Sequence, residues 1–325
     1  LTPWFVENVG AVDGQLEAEL IAGGKSNLTY RLHDDSQRWI LRRPPVGKLL
    51  ATAHDMGREH RMMAALAATD VPVPQMYAMC DDPVVLGAHF YVMEAVEGTP
   101  YRKAAELEKL GVERTRAISE RLVDTLAALH SVNPDDVGLA DFGRPENFLA
   151  RQVARWRKQF DAAHTRDLPD MEKLHALLAD NVPPEAPAGI VHGDYRLDNL
   201  LVDDDDQVRA VLDWELSTIG DSLTDLALMC VYHGMGASGG GVTDVANAPG
   251  FLSQEEIVTR YSEASGRDLS NFGFYVALGC FKLAGIVEGI HFRYINGQTV
   301  GDGFAEIGQA VGPLLTAGLH SLKEN

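Results

Sequence analysis

The sequence predicts an α+β fold of two unequal parts, a small antiparallel sheet with one inserted helix followed by a larger α-helical region. Three observations predict it. Strand-length apolar runs fill the first hundred residues, helical periodicity governs most of the remaining chain, and a glycine-containing joint near residues 94–100 separates the two regimes. The expected strands are Leu16–Ile21, Leu28–His33, Arg38–Arg42, Met76–Cys80 and Phe90–Glu94, each bounded by Gly, Asp, Asn or Pro clusters. One helix interrupts them, about His54 to Ala68, and the Val71-Pro72-Val73-Pro74 run stops it.

After Glu97-Gly98-Thr99-Pro100, apolar residues recur at helical spacing, as at Ile118, Leu122, Leu126 and Leu129. The exception is a hairpin-like region around residues 190–213. A length of 325 residues is enough for two core-bearing lobes, and the expected division is residues 1–97 and 98–325. The stretch Phe274 to Ile290 is apolar but broken by Lys282 and Glu288, which fits a buried helix better than a membrane span.

Composition narrows the function. Forty-seven acidic against 28 basic residues give a net charge of −19, a field that repels nucleic acid and anionic membranes, so neither is an expected partner. Three cysteines, Cys80, Cys230 and Cys280, lie far apart in apolar surroundings and read as reduced, buried thiols of a cytoplasmic protein. Leu1 to Gly14 carries acids and no apolar run, so no signal peptide is expected there.

The most informative segment is Ile190-Val191-His192-Gly193-Asp194-Tyr195-Arg196-Leu197-Asp198-Asn199, followed by Leu200-Leu201-Val202, an acidic turn, and Val208 to Asp213. Two apolar runs around a polar turn read as an antiparallel hairpin. If Val202 pairs with Val208, Asn199 lies opposite Val211 and Asp213 two residues further along the same face. Asp194 then sits in the turn just before. A carboxylate and an amide oxygen converging in this way suit a hard cation such as Mg²⁺, which takes further ligands from waters and phosphates. A slip of one residue would break the convergence. Taken singly, each of these residues is an ordinary turn former.

His192-Gly193-Asp194, Asn199 five residues after Asp194, and Asp213-Trp214-Glu215 resemble the catalytic and metal-binding loops of the aminoglycoside phosphotransferase family. The resemblance implies a protein-kinase-like bilobal fold and an ATP- and Mg²⁺-dependent transfer of phosphate to a small-molecule hydroxyl. It gives Asp194 the role of orienting or deprotonating that hydroxyl, and Asn199 and Asp213 the metal. Arg196 stands where many protein kinases carry a lysine reaching the γ-phosphate.

The same resemblance makes Gly23, Gly24, Ser26 and Asn27 part of a nucleotide-covering loop, since glycines let backbone N–H groups approach phosphates. Gly24-Lys25-Ser26 is not a Walker motif, because Glu19 stands where its first glycine should be. Glu59 shares a helix face with Met63 and Leu66, and a carboxylate there needs a cation. By the resemblance its partner is the basic residue of the third strand, Arg42 or its neighbour Arg43, where the family usually has lysine. Glu94 and Val96 in the joint would offer backbone groups to adenine, and Asp225 would bond to the catalytic-loop backbone.

Leu41-Arg42-Arg43-Pro44-Pro45, with the two loops above, looks most like the branch that includes the kinase-like region fused to some large acyl-CoA dehydrogenases. That branch implies a hydroxyacyl acceptor. The basic residues Arg42, Arg43, Lys48, Arg58 and Arg61 could serve an anionic substrate. Rival readings are an aminoglycoside kinase, a catalytically weak nucleotide-binding regulatory protein, and a metal phosphohydrolase using His192, Asp194, Asp213 and His233. The G-x-G-x-x-G match at Gly234 to Gly239 follows a helix rather than a strand, so it reads as a flexible loop and not a dinucleotide site.

Overall fold

The computed structural model describes residues 1–21, 27–45, 55–237, 243–299 and 304–323. Helix α1 (Thr2–Asn8) precedes strands β1 (Glu17–Leu20), β2 (Leu28–His33) and β3 (Arg38–Arg43). Then come α2 (Met56–Leu66), β4 (Met76–Cys80), the single turn α3 (Pro83–Leu86) and β5 (Phe90–Glu94). These strands form one antiparallel sheet in the order β1-β2-β3-β5-β4.

Alternation along the strands decides what each face covers. Trp39, Leu41, Phe90 and Val92 pack with Phe5 of α1 in a small core of their own. The opposite parity, Ile40, Tyr91 and Met93, joins Met62, Met63 and Leu66 of α2 in the main core. Arg42 has that second parity and lies directly opposite Tyr91 in the β3–β5 pairing. The expected helix from His54 to Ala68 is shorter than its apolar pattern; Asp55 caps it by accepting from the Arg58 N–H at 3.1 Å.

The remainder is mostly helical: α4 (Ala104–Glu108), α5 (Val112–Ser131), α6 (Phe148–Asp161) and α7 (Pro169–Asp180). Four short strands come next, β6 (Gly189–Val191), β7 (Leu200–Val202), β8 (Val208–Val211) and β9 (Thr218–Gly220). They form two separate antiparallel pairs, β6 with β9 and β7 with β8. Helices α8 (Leu223–Ala237), α9 (Gln254–Ser265), α10 (Phe272–Ile295) and α11 (Val311–Ser321) complete the chain. Gly234 to Gly236 therefore lie inside α8 and not in the expected loop; this helix has no β-branched or proline interruption there to end it. The rest of that glycine motif falls outside the described residues.

The joint is stitched to the α-helical part. Thr99 N–H donates to the Val202 carbonyl at 2.8 Å and Val202 N–H returns a bond to Thr99. A Cβ at Gly98 would stand 2.9 Å from that of Leu201, so only glycine lets the strands approach this closely. Nearby, Val211 N–H donates to Pro72 O at 2.8 Å, a second tie from the small sheet's surroundings to β8.

Helix α10 is long and apolar enough to cross a membrane, but 72% of its apolar window is buried among the other helices. Lys282 and Glu288, the charged residues inside its apolar stretch, explain themselves. Glu288 accepts from Thr165 Oγ1 at 2.6 Å and from Arg166 at 2.8 Å, and Lys282 reaches the loop after β6. Removing the partner of a buried carboxylate leaves its desolvation uncompensated. Arg166→Ala should therefore lower stability by about 1–3 kcal/mol, read as a shift in urea unfolding midpoint with unchanged slope.

Candidate active site

The loop after β6 is fixed by its own residues first. His192 is fully buried between the Trp214 ring, 4.6 Å away centre to centre, and Tyr195. Its Nε2 contacts the Leu212 carbonyl at 2.9 Å, while Nδ1 accepts the Asp194 N–H at 3.2 Å. Those partners require the neutral tautomer with the proton on Nε2. Gly193 has φ +88°, and a Cβ there would sit 2.8 Å from the Leu216 Cβ and carbonyl oxygen. Glycine is obligatory at this position.

Asp225, in the first turn of α8, holds the loop from behind. Its carboxylate accepts the N–H groups of His192 at 2.6 Å and Gly193 at 2.8 Å. A different acid, Asp221, lies just before the helix and accepts from Leu223 N–H. Asp225 also meets His130 Nε2 at 3.4 Å, and His130 Nδ1 meets the Tyr261 hydroxyl at 2.7 Å. Burial alone would raise the Asp225 pKa, but the contacts with His130 and the loop amides hold it below the usual carboxylate value. Lys282 donates to the Gly193 carbonyl at 2.9 Å from the other side.

The side chains expected to do chemistry converge. Asn199 Nδ2 donates to the Asp194 carbonyl at 2.8 Å and lies 3.4 Å from its Oδ2. Asp194 Oδ1 accepts from the Tyr232 hydroxyl at 3.0 Å. Arg196 is within 3.4 Å of Asp194 Oδ2 and 3.3 Å of Asp198, with its guanidinium carbon 5.1 Å from the centre of the Tyr232 ring. Leu212 N–H donates to Asn199 O, which brings Asp213 to the same end of the hairpin.

The route to that convergence differs from the sequence expectation. Val202 does pair with Val208, but a bulge intervenes and Leu201 pairs with Ala210, Leu200 with Val211. Asn199 therefore stands opposite Leu212 rather than Val211. The extra residue shifts the ladder by one, and Asp213 reaches the site because its own backbone turns left-handed, at φ 65°.

Arg42 links this end to the small sheet. One terminal nitrogen lies 3.0 Å from Glu59 and the other 2.7 Å from Asp213. Arg43 points elsewhere, to the carbonyls of Leu86 and Pro44, so Arg42 is the partner of Glu59. Glu59, fully buried, also accepts from the Tyr91 hydroxyl at 2.9 Å and Asn27 Nδ2 at 3.0 Å. Burial pushes the Glu59 carboxyl up to about 7, with Arg42 and Tyr91 pulling the other way. Asn27 further contacts Glu215 at 3.4 Å.

Other expected residues lie as follows. Glu94 ends β5 and its N–H donates to Gln75 O, and Val96 follows just outside the strand. Gly23, Gly24, Ser26 and Lys48 lie outside the described residues. Arg58 bonds Ser217 O over the Phe142 ring, and Arg61 pairs with Asp141, so the basic residues do not pool into one anion site. His233 Nε2 contacts the Leu252 carbonyl, and no cluster of three His, Cys, Asp or Glu suited to a metal occurs among the described residues.

Tyr232 and Lys282 are the site residues that motif reading missed. Tyr232 comes seven residues after Asp225 on one helix face, and Lys282 interrupts an apolar helix; both patterns were visible.

Residues 17–258 match the phosphotransferase enzyme family. The chain belongs to that family. The chain is 36% identical to acyl-CoA dehydrogenase family member 11 of Gallus gallus over 95% of its own length but 41% of the relative's, so it spans about two-fifths of that protein. A solved structure from Ralstonia eutropha JMP134, provisionally assigned as an aminoglycoside phosphotransferase, is 34% identical with a TM-score of 0.87, covering 99% of this chain and 97% of that one. The fold extends to a thermostable mutant of aminoglycoside phosphotransferase APH(4)-Ia in ternary complex with ADP and hygromycin B, at 11% identity and a TM-score of 0.64, over 98% of this chain and 97% of that one. The kinase-like fold expected from the sequence is thus the one the chain has.

The donor set fits Mg²⁺. Asp213 supplies a carboxylate and Asn199 an amide oxygen, the hard ligands that this cation combines with phosphate. Arg42 Nε and Arg196 Nε are buried and find no acceptor among the described residues.

His130 is completely buried, and burial lowers its pKa below the ordinary 6.5. The unfolded chain therefore takes up a proton that the folded chain refuses once pH falls through about 6.5, and stability must decline below that point. Thermal unfolding followed across this range should show the decline, and His130→Gln should flatten it.

Proposed function

We propose that the phosphotransferase moves the γ-phosphoryl group of ATP to a hydroxyl of a small molecule, and that the acceptor is a hydroxyacyl compound. The observation that supports the transfer best is the convergence of Asp194, Asn199 and Asp213 beside the Arg42–Glu59 pair. Asp194 is the group that orients or deprotonates the attacking hydroxyl, with Tyr232 holding one carboxylate oxygen and Asn199 the other side. Asn199 and Asp213 hold Mg²⁺, which supplies charge neutralisation on the phosphates when bound. Arg42 and Arg196 complete the positive surroundings of the transferred group.

For nucleotide binding, the loop of Gly23, Gly24, Ser26 and Asn27 covers the phosphates, Glu59 fixes Arg42, and the Glu94–Val96 segment meets the adenine edge. The lobe boundary falls between Glu97 and Gly98, which the close approach of Gly98 to Leu201 supports. A cytoplasmic setting suits three free, buried thiols. The hydroxyacyl acceptor is supported by relatives named as acyl-CoA dehydrogenase family members. An aminoglycoside acceptor is the second reading, favoured by the assignment of the Ralstonia structure.

Two substitutions test the chemistry. Asp194→Asn should leave Mg-ATP affinity near the original value while turnover falls by about 10²–10⁴-fold; undiminished turnover refutes its role. Asp213→Ala should weaken Mg-ATP binding itself in a calorimetric titration, and normal Mg²⁺-dependent affinity would remove it from the metal site.

A further inference from the structure

Asp198 stands in the chain between Asp194 and Asn199, on the short turn Leu197–Asn199, and its side chain is only 2% exposed. Its Oδ2 lies 3.3 Å from Arg196 and 3.2 Å from Arg102 Nε. Its Oδ1 is buried and meets no donor among the described residues. A carboxylate taken out of water needs cations or donors to offset the loss, so Asp198 depends on these two arginines.

Arg196 is shared. The terminal nitrogen that meets Asp198 Oδ2 is the same one that lies 3.4 Å from Asp194 Oδ2. Both separations exceed the roughly 2.7–2.9 Å of a closed charge-assisted bond. The guanidinium is thus held between two acids, with the Tyr232 ring centre 5.1 Å from its carbon. Burial works against its charge, and Asp194 and Asp198 together hold Arg196 above its ordinary pKa. It stays a cation for which two carboxylates compete.

The two oxygens of Asp194 differ as a result. Oδ1 accepts from the Tyr232 hydroxyl at 3.0 Å, and burial beside the Asp194 charge keeps that hydroxyl protonated. Oδ2 has only longer contacts, 3.4 Å to Asn199 Nδ2 and 3.4 Å to Arg196.

We propose that Asp198 is a positioning residue for the transfer: its pull on Arg196, braced by Arg102, keeps the guanidinium from closing on Asp194 and leaves Oδ2 open to the acceptor hydroxyl. The consequence for turnover rests on the phosphotransfer reading; the geometry does not. Without Asp198 the shared nitrogen has one acid left, and a closed pair with Asp194 is the stronger Coulomb contact. That pair would occupy the oxygen the hydroxyl needs. The brace is itself anchored. Arg102 follows the joint at Thr99, and its carbonyl accepts from Thr243 Oγ1 at 2.8 Å.

A crystal structure of Asp198→Asn tests the geometry. The Arg196–Asp194 separation should shorten to about 2.8 Å, and a separation still at 3.4 Å overturns the proposal. ADP release from Mg-ATP tests the consequence, with water, hydroxydecanoate or kanamycin as acceptor and the fastest of these carried through the series. Asp198→Asn should lower kcat by about 10–100-fold, while KM for Mg-ATP stays within about twofold, a split that general loosening of the loop would not give. Made in an Arg196→Met background, the same substitution should change kcat by less than about twofold, because the cation that closes is gone. An undiminished kcat, or an equal loss in both backgrounds, overturns the proposal. Where Asp198→Asn alone fails to fold, Asp198→Asn with Arg102→Met removes one charge of each sign. Compared with Arg102→Met, it should show the same shortening and the same fall in kcat. No ADP release with any acceptor would strike the phosphotransfer reading instead, and the crystal structure would still decide where Arg196 sits.

Discussion

The site hangs on one guanidinium. Arg42 carries Glu59 on one terminal nitrogen and Asp213 on the other, so a strand of the small sheet, its helix and the end of the β7–β8 hairpin meet at a single cation. Burial works against the charge, yet the surrounding Tyr91, Glu59 and Asp213 hold Arg42 more firmly protonated than usual. The geometry also suits arginine at this position better than lysine. A lysine presents one nitrogen as a compact point charge, whereas the planar fork reaches two carboxylates on different lobes at once. Removing either acid would leave part of a buried ion unpaired, a loss of about 3–5 kcal/mol for comparable pairs.

A second ionic layer lies behind the catalytic loop. Asp225 receives two consecutive amides and Lys282 takes the carbonyl between them and Asp194. The peptide joining Gly193 to Asp194 is held on both sides, its carbonyl by Lys282 and its N–H by His192 Nδ1, while Asp225 holds the two amides before it. Fixing the dipoles in advance removes reorganisation from the transfer step, which is where positioning contributes most in phosphoryl chemistry. The Arg42 bridge and the Asp225 layer are complementary: one ties the small sheet to the β7–β8 hairpin, the other fixes the loop that carries Asp194.

How much of this was legible in the sequence depends on which interactions are local. Strands β2, β4 and β5 could be bounded to the residue because alternation and flanking turn formers are local signals. The approach of Asn199 and Asp213 was also legible, since they flank one hairpin, with Asp194 in the loop just before it. Its register was not, because the bulge and the left-handed turn at Asp213 depend on packing of Trp214 and His192 that no periodicity reports. The choice of Arg42 over Arg43 needed the β3–β5 pairing. Lys282 and Tyr232 act across a long stretch of chain from the loop they touch, and only the tertiary fold brings them there. The helical Gly234–Gly236 turn failed for the opposite reason: glycine propensity is a weak local term that burial of α8 overrides.

Charge makes the same point at larger scale. A net −19 repels long polyanions, whose many phosphates sample the whole surface. It does not repel a small anion inside the cleft, because exposed charges are screened beyond about 8 Å at physiological salt. Arg42, Arg196 and Lys282 act at contact distance from partly desolvated positions, where each Coulomb term is larger than at the surface. Both arginines meet their acids directly: Arg42 meets Glu59 and Asp213, and Arg196 meets Asp194 and Asp198. The fold places the three cations beside Asp194, at the Arg42 bridge and against the Gly193 carbonyl, so the local field around the loop is set by these contacts and not by the sign of the whole chain.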